Sequence, residues 1–178
     1  ALSNFLQSRL VFLMKGEDVN DKFGIIRHPK KTRPLTLSDT ICKLVARANV
    51  FNLNRFSEKV ISHRQYGGLP GRLMTDLIVD MEAKILSLFA RKFPNSGVIA
   101  LDMASAFPSV SRRFMFFVLS RLGLHLFLYN SIFNLNHSSI AHICIRNHLF
   151  DSIVGGRGVK QGDPCAMIMF VIIYDVLI

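Results

Sequence analysis

The feature that most constrains the fold is a short apolar run that ends in a carboxylate. Residues 98–101 are apolar and follow the turn-forming residues 95–97, a pattern that predicts a buried strand. Asp102 comes next, so its carboxylate should lie at the rim of a sheet, where a metal ion or a cationic ligand can reach it. Pro108 then restarts the chain as a predicted helix. The stretch alone leaves two interpretations open, a functional carboxylate and a cap of the following helix.

Charge is distributed unevenly along the chain. Residues 1–72 contain 13 Lys/Arg and 5 Asp/Glu, a net charge of +8, whereas residues 73–178 contain 9 and 7, a net charge of +2. A basic half of this kind favours a polyanionic partner such as nucleic acid. Half of the 178 residues are hydrophobic, which excludes a disordered chain and fits one domain or part of one.

Cysteine usage and the chain ends bear on the compartment. The three cysteines, Cys42, Cys144 and Cys165, form no Cys-x-x-Cys pair and favour buried thiols in a reducing compartment. The chain begins with Ala and shows no signal peptide, so we expect a fragment of an intracellular protein, in the nucleus or cytoplasm and not secreted. The apolar run 165–178 is short and contains Asp175, so we expect no membrane span.

A basic connection joins two predicted strands near the start of the chain. Residues 10–14 and 35–37 have strand character, and most of the residues between them are polar or basic. A hairpin of these strands would place Lys15 and Arg33 on one exposed face, where cations suit phosphate groups. Lys30 and Lys31, in the connection, are better explained as a solvated basic loop.

Two glycine-rich segments stand out. Residues 65–72, between helices predicted to begin near residues 38–40 and 75–76, contain three Gly and one Pro and predict a tight turn. Residues 155–164 contain four Gly among basic and polar residues and lead into a predicted helix over 165–178. A glycine loop before a helix can hold a phosphate, although this one is neither a Walker A loop nor a dinucleotide fingerprint. Residues 140–153 predict strands with a turn near Asn147.

The order of these segments is more specific than any of them alone, and it resembles the reverse transcriptase domain of non-long-terminal-repeat, LINE-like retrotransposons. The resemblance extends over residues 9–178. Four segments carry it: residues 33–37 with Lys43 (Arg-Pro-Ile-Ser-Leu…Lys in the family), 65–72 (Gln-x-Gly-Phe-x-Pro-Gly-Arg), 101–110 (motif A, Asp-x-x-x-Ala-Phe-Asp-Ser-Val) and 158–164 (motif B, Gly-Val-Arg-Gln-Gly-Asp-Pro).

The resemblance implies RNA-directed DNA synthesis with two Mg²⁺ ions, dNTPs, an RNA template and a DNA primer. Asp102 would be the catalytic residue and would bind both metal ions. Phe107 would exclude a 2′-hydroxyl, and Gln161 and Gly162 would line the nascent base pair. Asp102, Phe107 and the Gln161-Gly162 loop would line one concave face. Lys15 and Arg33 would overhang this face and bind the triphosphate. Nucleic acid would contact four further residues, Gly71, Arg72, Arg157 and Lys160.

The implied fold is an α+β fragment of a right-hand polymerase. About residues 1–95 would form basic fingers with connecting helices, and about residues 96–178 a partial palm sheet with packing helices. The oligomeric state is left open.

The chain departs from the family pattern in three places. Pro108 replaces an acidic residue that is not a metal ligand, and Met14 replaces the proline usual before Lys15. The family's Tyr-x-Asp-Asp segment is absent, and no Asp-Asp occurs anywhere. We therefore expect an inactive fragment of the polymerase. The alternatives are a non-catalytic nucleic-acid-binding remnant and, with less support, a peripheral membrane or interaction module.

Overall fold

A four-stranded mixed sheet organises the chain, for which the computed structural model describes residues 6–16, 28, 31–91, 93, 97–137 and 139–177. Its strands lie in the order β2-β1-β3-β4. Strand β1 is antiparallel to β2 and parallel to β3, and β4 is antiparallel to β3. The strands are β1 (Gln7–Met14), β2 (Thr32–Ser38), β3 (Ile140–Ile145) and β4 (His148–Val154).

Helices supply most of the hydrophobic core. Buried side chains of α1, α4, α5 and α6 form one cluster, in which Leu53, Met115, Ile132 and Met169 are almost fully enclosed. The expected α+β class is therefore observed as a mixed sheet with packing helices. The helices are α1 (Thr40–Val60), α2 (Met74–Ala90), α3 (Ala106–Ser109), α4 (Arg112–Arg121), α5 (Leu126–His137) and α6 (Ala166–Leu177). None of the helices in the described ranges is long and apolar enough to cross a membrane.

Both predicted hairpins are present. Strands β1 and β2 pair in a register that sets Leu13 opposite Arg33. Compared with the predicted strands, β1 begins earlier and β2 is longer at both of its ends. Strands β3 and β4 are joined at Arg146 and Asn147, whose φ angles of 48° and 64° lie in the left-handed region that a tight hairpin turn requires. The turn expected near Asn147 is thus confirmed.

Helix α1 buries a face of mostly small residues. The Asp39 carboxylate caps it by accepting a hydrogen bond from the Ile41 N–H at 2.9 Å, which agrees with the helix start predicted near residues 38–40. Its buried residues are Cys42, Ala46, Asn49, Leu53 and Ser57. Small side chains let α1 approach α5 and α6 closely, whereas the bulkier Leu44 and Phe51 remain exposed on the other side.

The strand predicted over residues 98–101 is wrong. These residues have no regular secondary structure, and the side chains of Ile99 and Leu101 are 86% and 88% exposed. A strand needs a neighbour to satisfy its backbone N–H and C=O groups, and no described strand pairs with this segment. Helix α2 is similar, since none of its described residues is buried.

Two leucines of α1 test which face carries the packing. Leu53 is fully buried and Leu44 is 64% exposed on the same helix. We expect Leu53→Ala to lower the free energy of unfolding by about 2–5 kcal/mol, because it leaves a cavity in the core. Leu44→Ala, the matched control, should change it by less than about 0.5 kcal/mol. Urea unfolding measures both, and an equal cost for the two would contradict the observed orientation of α1.

Candidate nucleotide and nucleic-acid site

A cavity of about 170 Å³ lies between the sheet and the second glycine-rich segment. Its floor is one face of the sheet, which contributes side chains from all four strands: Leu10, Thr36, Ala141 and Ile153 are among them. The other side of the cavity is closed by α3, α4 and the second glycine-rich segment, residues 155–164, which we call the glycine loop. The residues on this side are Pro108, Arg112, Arg157, Lys160 and Gln161. Three of the residues singled out from the sequence, Arg157, Lys160 and Gln161, therefore share one cavity.

Backbone hydrogen bonds join three segments that are far apart in sequence. The Gly158 N–H donates to the Val110 carbonyl at 2.8 Å, and the Val159 N–H donates to the Phe107 carbonyl at 2.9 Å. On the other side of the loop, the Thr36 N–H donates to the Gln161 carbonyl at 2.8 Å. The structure thus brings together segments 33–37, 101–110 and 158–164, which the sequence identifies separately.

Two glycines permit this close approach. A Cβ atom on Gly158, whose φ is +78°, would lie 2.9 Å from the Pro108 Cα. A Cβ atom on Gly162, whose φ is +101°, would lie 2.7 Å from the Thr36 carbonyl oxygen. Both positions require glycine for conformation and for space. The close neighbour of Gly162 is the backbone of β2, an approach that the sequence does not reveal.

Asp102 is exposed and makes no hydrogen bond or ion pair with the described residues. It does not cap a helix. Helix α3 begins after Ser105, which has φ 56° and forms no side-chain cap, and the hydroxyl of Ser111 caps α4. The structure therefore disfavours the helix-cap interpretation and leaves this carboxylate available to a ligand.

Phe107 is partly buried beside the glycine loop. Its ring lies 5.1 Å from the ring of Phe170 on α6, measured between centroids, at an interplanar angle of 40°. Its carbonyl is held by the Val159 N–H. The ring is therefore anchored by an aromatic contact on one side while its backbone is fixed to the loop.

Lys15 and Arg33 lie on the hairpin of β1 and β2, outside the cavity. Arg33 pairs with Leu13, and Lys15 lies two residues beyond Leu13, so the alternation of side chains would put both cations on one side. Leu10 and Thr36, which also pair, lie on the cavity side. Both side chains are exposed and neither lines the cavity, and because Lys15 lies beyond the end of β1 their assignment to one phosphate-binding face stays a prediction.

Lys160 is largely buried at the C-terminal end of α5. Its Nζ donates to the Leu135 carbonyl at 2.9 Å, and burial lowers the pKa of its ammonium group. Asp163 lies nearby and accepts a hydrogen bond from the Cys165 N–H at 2.8 Å, while burial raises the pKa of its carboxyl. Lys160 therefore joins the loop to α5, in contrast to Arg157, which is exposed.

Arg72 closes the first glycine-rich segment on itself. Its Nη1 donates to the Ser62 carbonyl at 2.5 Å and to the Gln65 carbonyl at 2.6 Å. The preceding Gly71, with φ +74°, has open space where a Cβ would stand. Both of these hydrogen bonds of Arg72 are thus directed at its own loop.

Sequence reasoning missed Arg112. Its guanidinium is half-buried and donates to three carbonyl oxygens, those of Asn136, Gly155 and Gly158. Burial lowers the pKa of this group. No motif marks the residue, because an arginine in the first turn of a helix is usually a solvated side chain. Its partners are carbonyl groups, which every residue carries, so the sequence contains no signal for them.

The described residues do not complete a metal centre. No group of three or more His, Cys, Asp or Glu side chains that could hold a metal ion occurs in the part of the chain that the structure describes. Asp102 supplies one carboxylate, whereas a site for two Mg²⁺ ions needs several oxygen ligands. The fit to the expected pair of ions is therefore incomplete.

Two comparisons with known proteins agree with the geometry. Residues 19–178 match the family model for reverse transcriptase (RNA-dependent DNA polymerase). The chain is also similar to the Retrovirus-related Pol polyprotein from type-1 retrotransposable element R2 of Popillia japonica, at 27% identity over 168 residues. That alignment covers 88% of this chain and 22% of the relative, so the chain spans about a fifth of the relative's length.

Gly162 and Gly71 separate the contact of the loop with β2 from backbone conformation alone. Both glycines have positive φ, but only Gly162 would bring a Cβ against a neighbouring backbone. We expect Gly71→Ala to cost about 1–2 kcal/mol of unfolding free energy from conformational strain. Gly162→Ala should cost about 1–3 kcal/mol more, because it also pushes the loop away from Thr36. Denaturant unfolding gives both values, and equal costs would show that the loop does not pack on β2.

Proposed function

Because the chain belongs to the reverse transcriptase (RNA-dependent DNA polymerase) family, we propose that it forms the nucleotide- and template-binding part of an RNA-directed DNA polymerase of a non-long-terminal-repeat retroelement. The observation that carries the proposal is the set of hydrogen bonds joining segments 33–37, 101–110 and 158–164 around one cavity. Similarity to the R2 polyprotein supports the retroelement class.

We propose the architecture of a right-hand polymerase for these residues. In this assignment about residues 1–95 are fingers with connecting helices, and about residues 96–178 are the first part of a palm. The mixed sheet and its packing helices are compatible with it. As a retroelement polymerase the protein would work inside the cell, in the nucleus or cytoplasm, where its RNA template is found.

Asp102 is the proposed metal-binding and catalytic carboxylate. Its support is an exposed side chain without a partner among the described residues, directly before the segment that carries Phe107. Since Asp102 belongs to no group of three or more potential metal ligands in the described residues, we assign no catalytic step to them alone. The sequence contains no Asp-Asp pair, so we propose that these 178 residues do not extend a primer by themselves.

The nucleotide would be selected beside the glycine loop. Phe107 is anchored by Phe170 and can act as a rigid wall against a 2′-hydroxyl. Gln161 lines the cavity, and its position and that of Gly162 are set by the contact with β2. These contacts fix the two groups before a ligand binds, which lowers the entropic cost of recognition.

Basic residues would bind phosphates on two surfaces. Arg33 and Lys15 are exposed on the hairpin away from the cavity, so we propose that they contact phosphates of the nucleic-acid backbone, since binding the triphosphate of a nucleotide held beside Gln161 would need them at the cavity. Arg157 is exposed at the cavity and suits a nucleic-acid backbone. Lys160, Arg72 and Gly71 would contribute mainly by shaping their loops, since both cations already bind carbonyl groups.

A second candidate function is nucleic-acid binding without turnover. The specific observation in its favour is the combination of a +8 charge over residues 1–72 with the lack, in the described residues, of a group of three or more potential metal ligands. It differs from the polymerase in needing no second acidic segment. A longer form of the protein that includes a Tyr-x-Asp-Asp segment and extends a primer would exclude it.

Both candidates predict salt-dependent binding of nucleic acid. We expect the 178-residue chain to bind single-stranded RNA with little sequence preference, and its affinity to fall at least about tenfold between about 50 and about 200 mM salt, because bound counterions are released. Arg33→Glu should weaken binding only modestly, since one phosphate contact among several is lost. Fluorescence anisotropy measures both, and salt-independent binding would contradict the proposal.

Asp102→Asn tests the polymerase. In a longer form of the chain that extends a primer, the substitution keeps size and hydrogen bonding but removes the charge proposed to hold two cations. We expect extension on an RNA template to fall to background while RNA binding is retained. Asp151→Asn, which changes another exposed carboxylate on β4, is the matched control and should leave extension unchanged.

Phe107→Ala should give a different outcome in the same assay, with synthesis retained and ribonucleotides accepted, because it removes a wall and no charge.

Substantial extension by the Asp102→Asn protein would remove the functional assignment of Asp102.

A further inference from the structure

We propose that Arg112 is a positioning residue, whose guanidinium fixes the loop over residues 155–158 and through it the position of Gln161. We call this set of contacts the carbonyl clamp: Arg112 with the carbonyl oxygens of Asn136, Gly155 and Gly158. The evidence for the clamp is the set of hydrogen bonds that Arg112 forms in the structure. Its consequence for nucleotide selection rests on the proposed function, which assigns Gln161 to the nascent base pair.

The carbonyl clamp connects three separate segments. Arg112 Nε donates to the Gly158 carbonyl at 2.9 Å, and Nη1 donates to the Asn136 carbonyl at 2.6 Å and to the Gly155 carbonyl. These acceptors lie in the middle of the loop, in the last turn of α5 and directly after β4. Within the described ranges Arg112 forms no ion pair with a carboxylate. Its charge is balanced by carbonyl dipoles, including those at the negative end of α5.

The geometry of guanidinium makes this role specific. Arginine presents its donors in a rigid planar fork that can reach several acceptors at fixed angles, whereas lysine has one nitrogen on a flexible stem. The guanidinium of Arg112 binds the loop at two points, the carbonyl groups of Gly155 and Gly158. Beyond Gly158, the Val159 N–H binds Phe107 and the Gln161 carbonyl binds β2. The clamp thus fixes the part of the loop that precedes Gln161, and through it the position of Gln161.

Gly155 shows how closely the loop packs on the fork. A Cβ atom there would lie 2.9 Å from Arg112 Nη2. An arginine tip can usually move aside, but this one would have to give up its carbonyl partners. The neighbouring Gly156 has nothing within 4 Å of its Cβ position, and neither glycine has a positive φ. Gly155→Ala and Gly156→Ala are therefore a matched pair that differs in contact with the clamp.

Amide hydrogen exchange of the 178-residue chain tests the clamp without any catalytic activity. We expect Arg112→Lys and Gly155→Ala to speed exchange at the Gly158 and Val159 amides about tenfold, the effect of losing roughly one hydrogen bond to a charged donor. Arg113→Lys, at the exposed neighbour of Arg112, and Gly156→Ala should match the parent chain.

Core amides of α1 and α6 should exchange at the parent rate in all of these variants. Should Arg112→Lys fail to fold, Gly155→Ala decides, because it keeps the charge and its closest new contact is with the guanidinium of Arg112. Unchanged loop exchange in Gly155→Ala would overturn the clamp. Equal acceleration in the loop and in the core would overturn it as well, since it would indicate general destabilisation.

Steady-state kinetics test the positioning of Gln161 in a longer form that extends a primer. We expect Arg112→Lys to raise KM for the incoming dNTP about tenfold with kcat nearly unchanged, because a misplaced loop weakens nucleotide binding. General loss of folded protein would lower kcat and leave KM alone. A loosened loop with an unchanged KM would overturn the positioning role. Failure of the parent protein to extend a primer would count against the proposed function, while hydrogen exchange would still decide the clamp.

Discussion

The packing of the glycine loop on α3 and β2 is the contact on which the rest of the site depends. Its hydrogen bonds, Gly158 to Val110, Val159 to Phe107 and Thr36 to Gln161, run between backbone groups. Backbones approach this closely only where side chains are absent, and Gly158 and Gly162 meet that requirement. Because the loop follows β4 and precedes α6, the same contact sets the sheet relative to the helical core and leaves the cavity between them.

Two partly buried cations hold the other side of the loop. Arg112 and Lys160 both donate to carbonyl oxygens in the last turn of α5, those of Asn136 and Leu135. A buried charge is costly unless it is hydrogen-bonded, and a helix C-terminus offers unpaired carbonyls with a partial negative charge. One helix end thus satisfies two cations, and the cations in turn attach the loop to α5. A basic residue near a candidate nucleic-acid site can therefore stabilise the fold through carbonyl groups and need not bind a ligand.

Much of the fold and of the candidate site could be predicted from the sequence, and the features that could not be predicted share one cause. The two hairpins, the start of α1 near residues 38–40 and the order of the motifs follow from local patterns. The strand at residues 98–101 does not form, because strand stability comes from a neighbour and the apolar run says nothing about one. Carbonyl partners and the approach of Gly162 to β2 are likewise properties of distant backbone, which composition does not encode. Long-range contacts are what local patterns omit.

Such contacts also divide the candidate site into two parts of different rigidity. Gln161 sits on a loop held by α3, α4, α5 and β2, so its position is set by the described residues. Asp102 sits on an exposed segment, where the described residues leave the side chains of its apolar neighbours Ile99 and Leu101 almost fully exposed. A catalytic carboxylate must be held to a fraction of an ångström by its surroundings. Nucleotide selection in the proposed polymerase can therefore be set within these residues, whereas placement of Asp102 requires contacts beyond those the described residues supply.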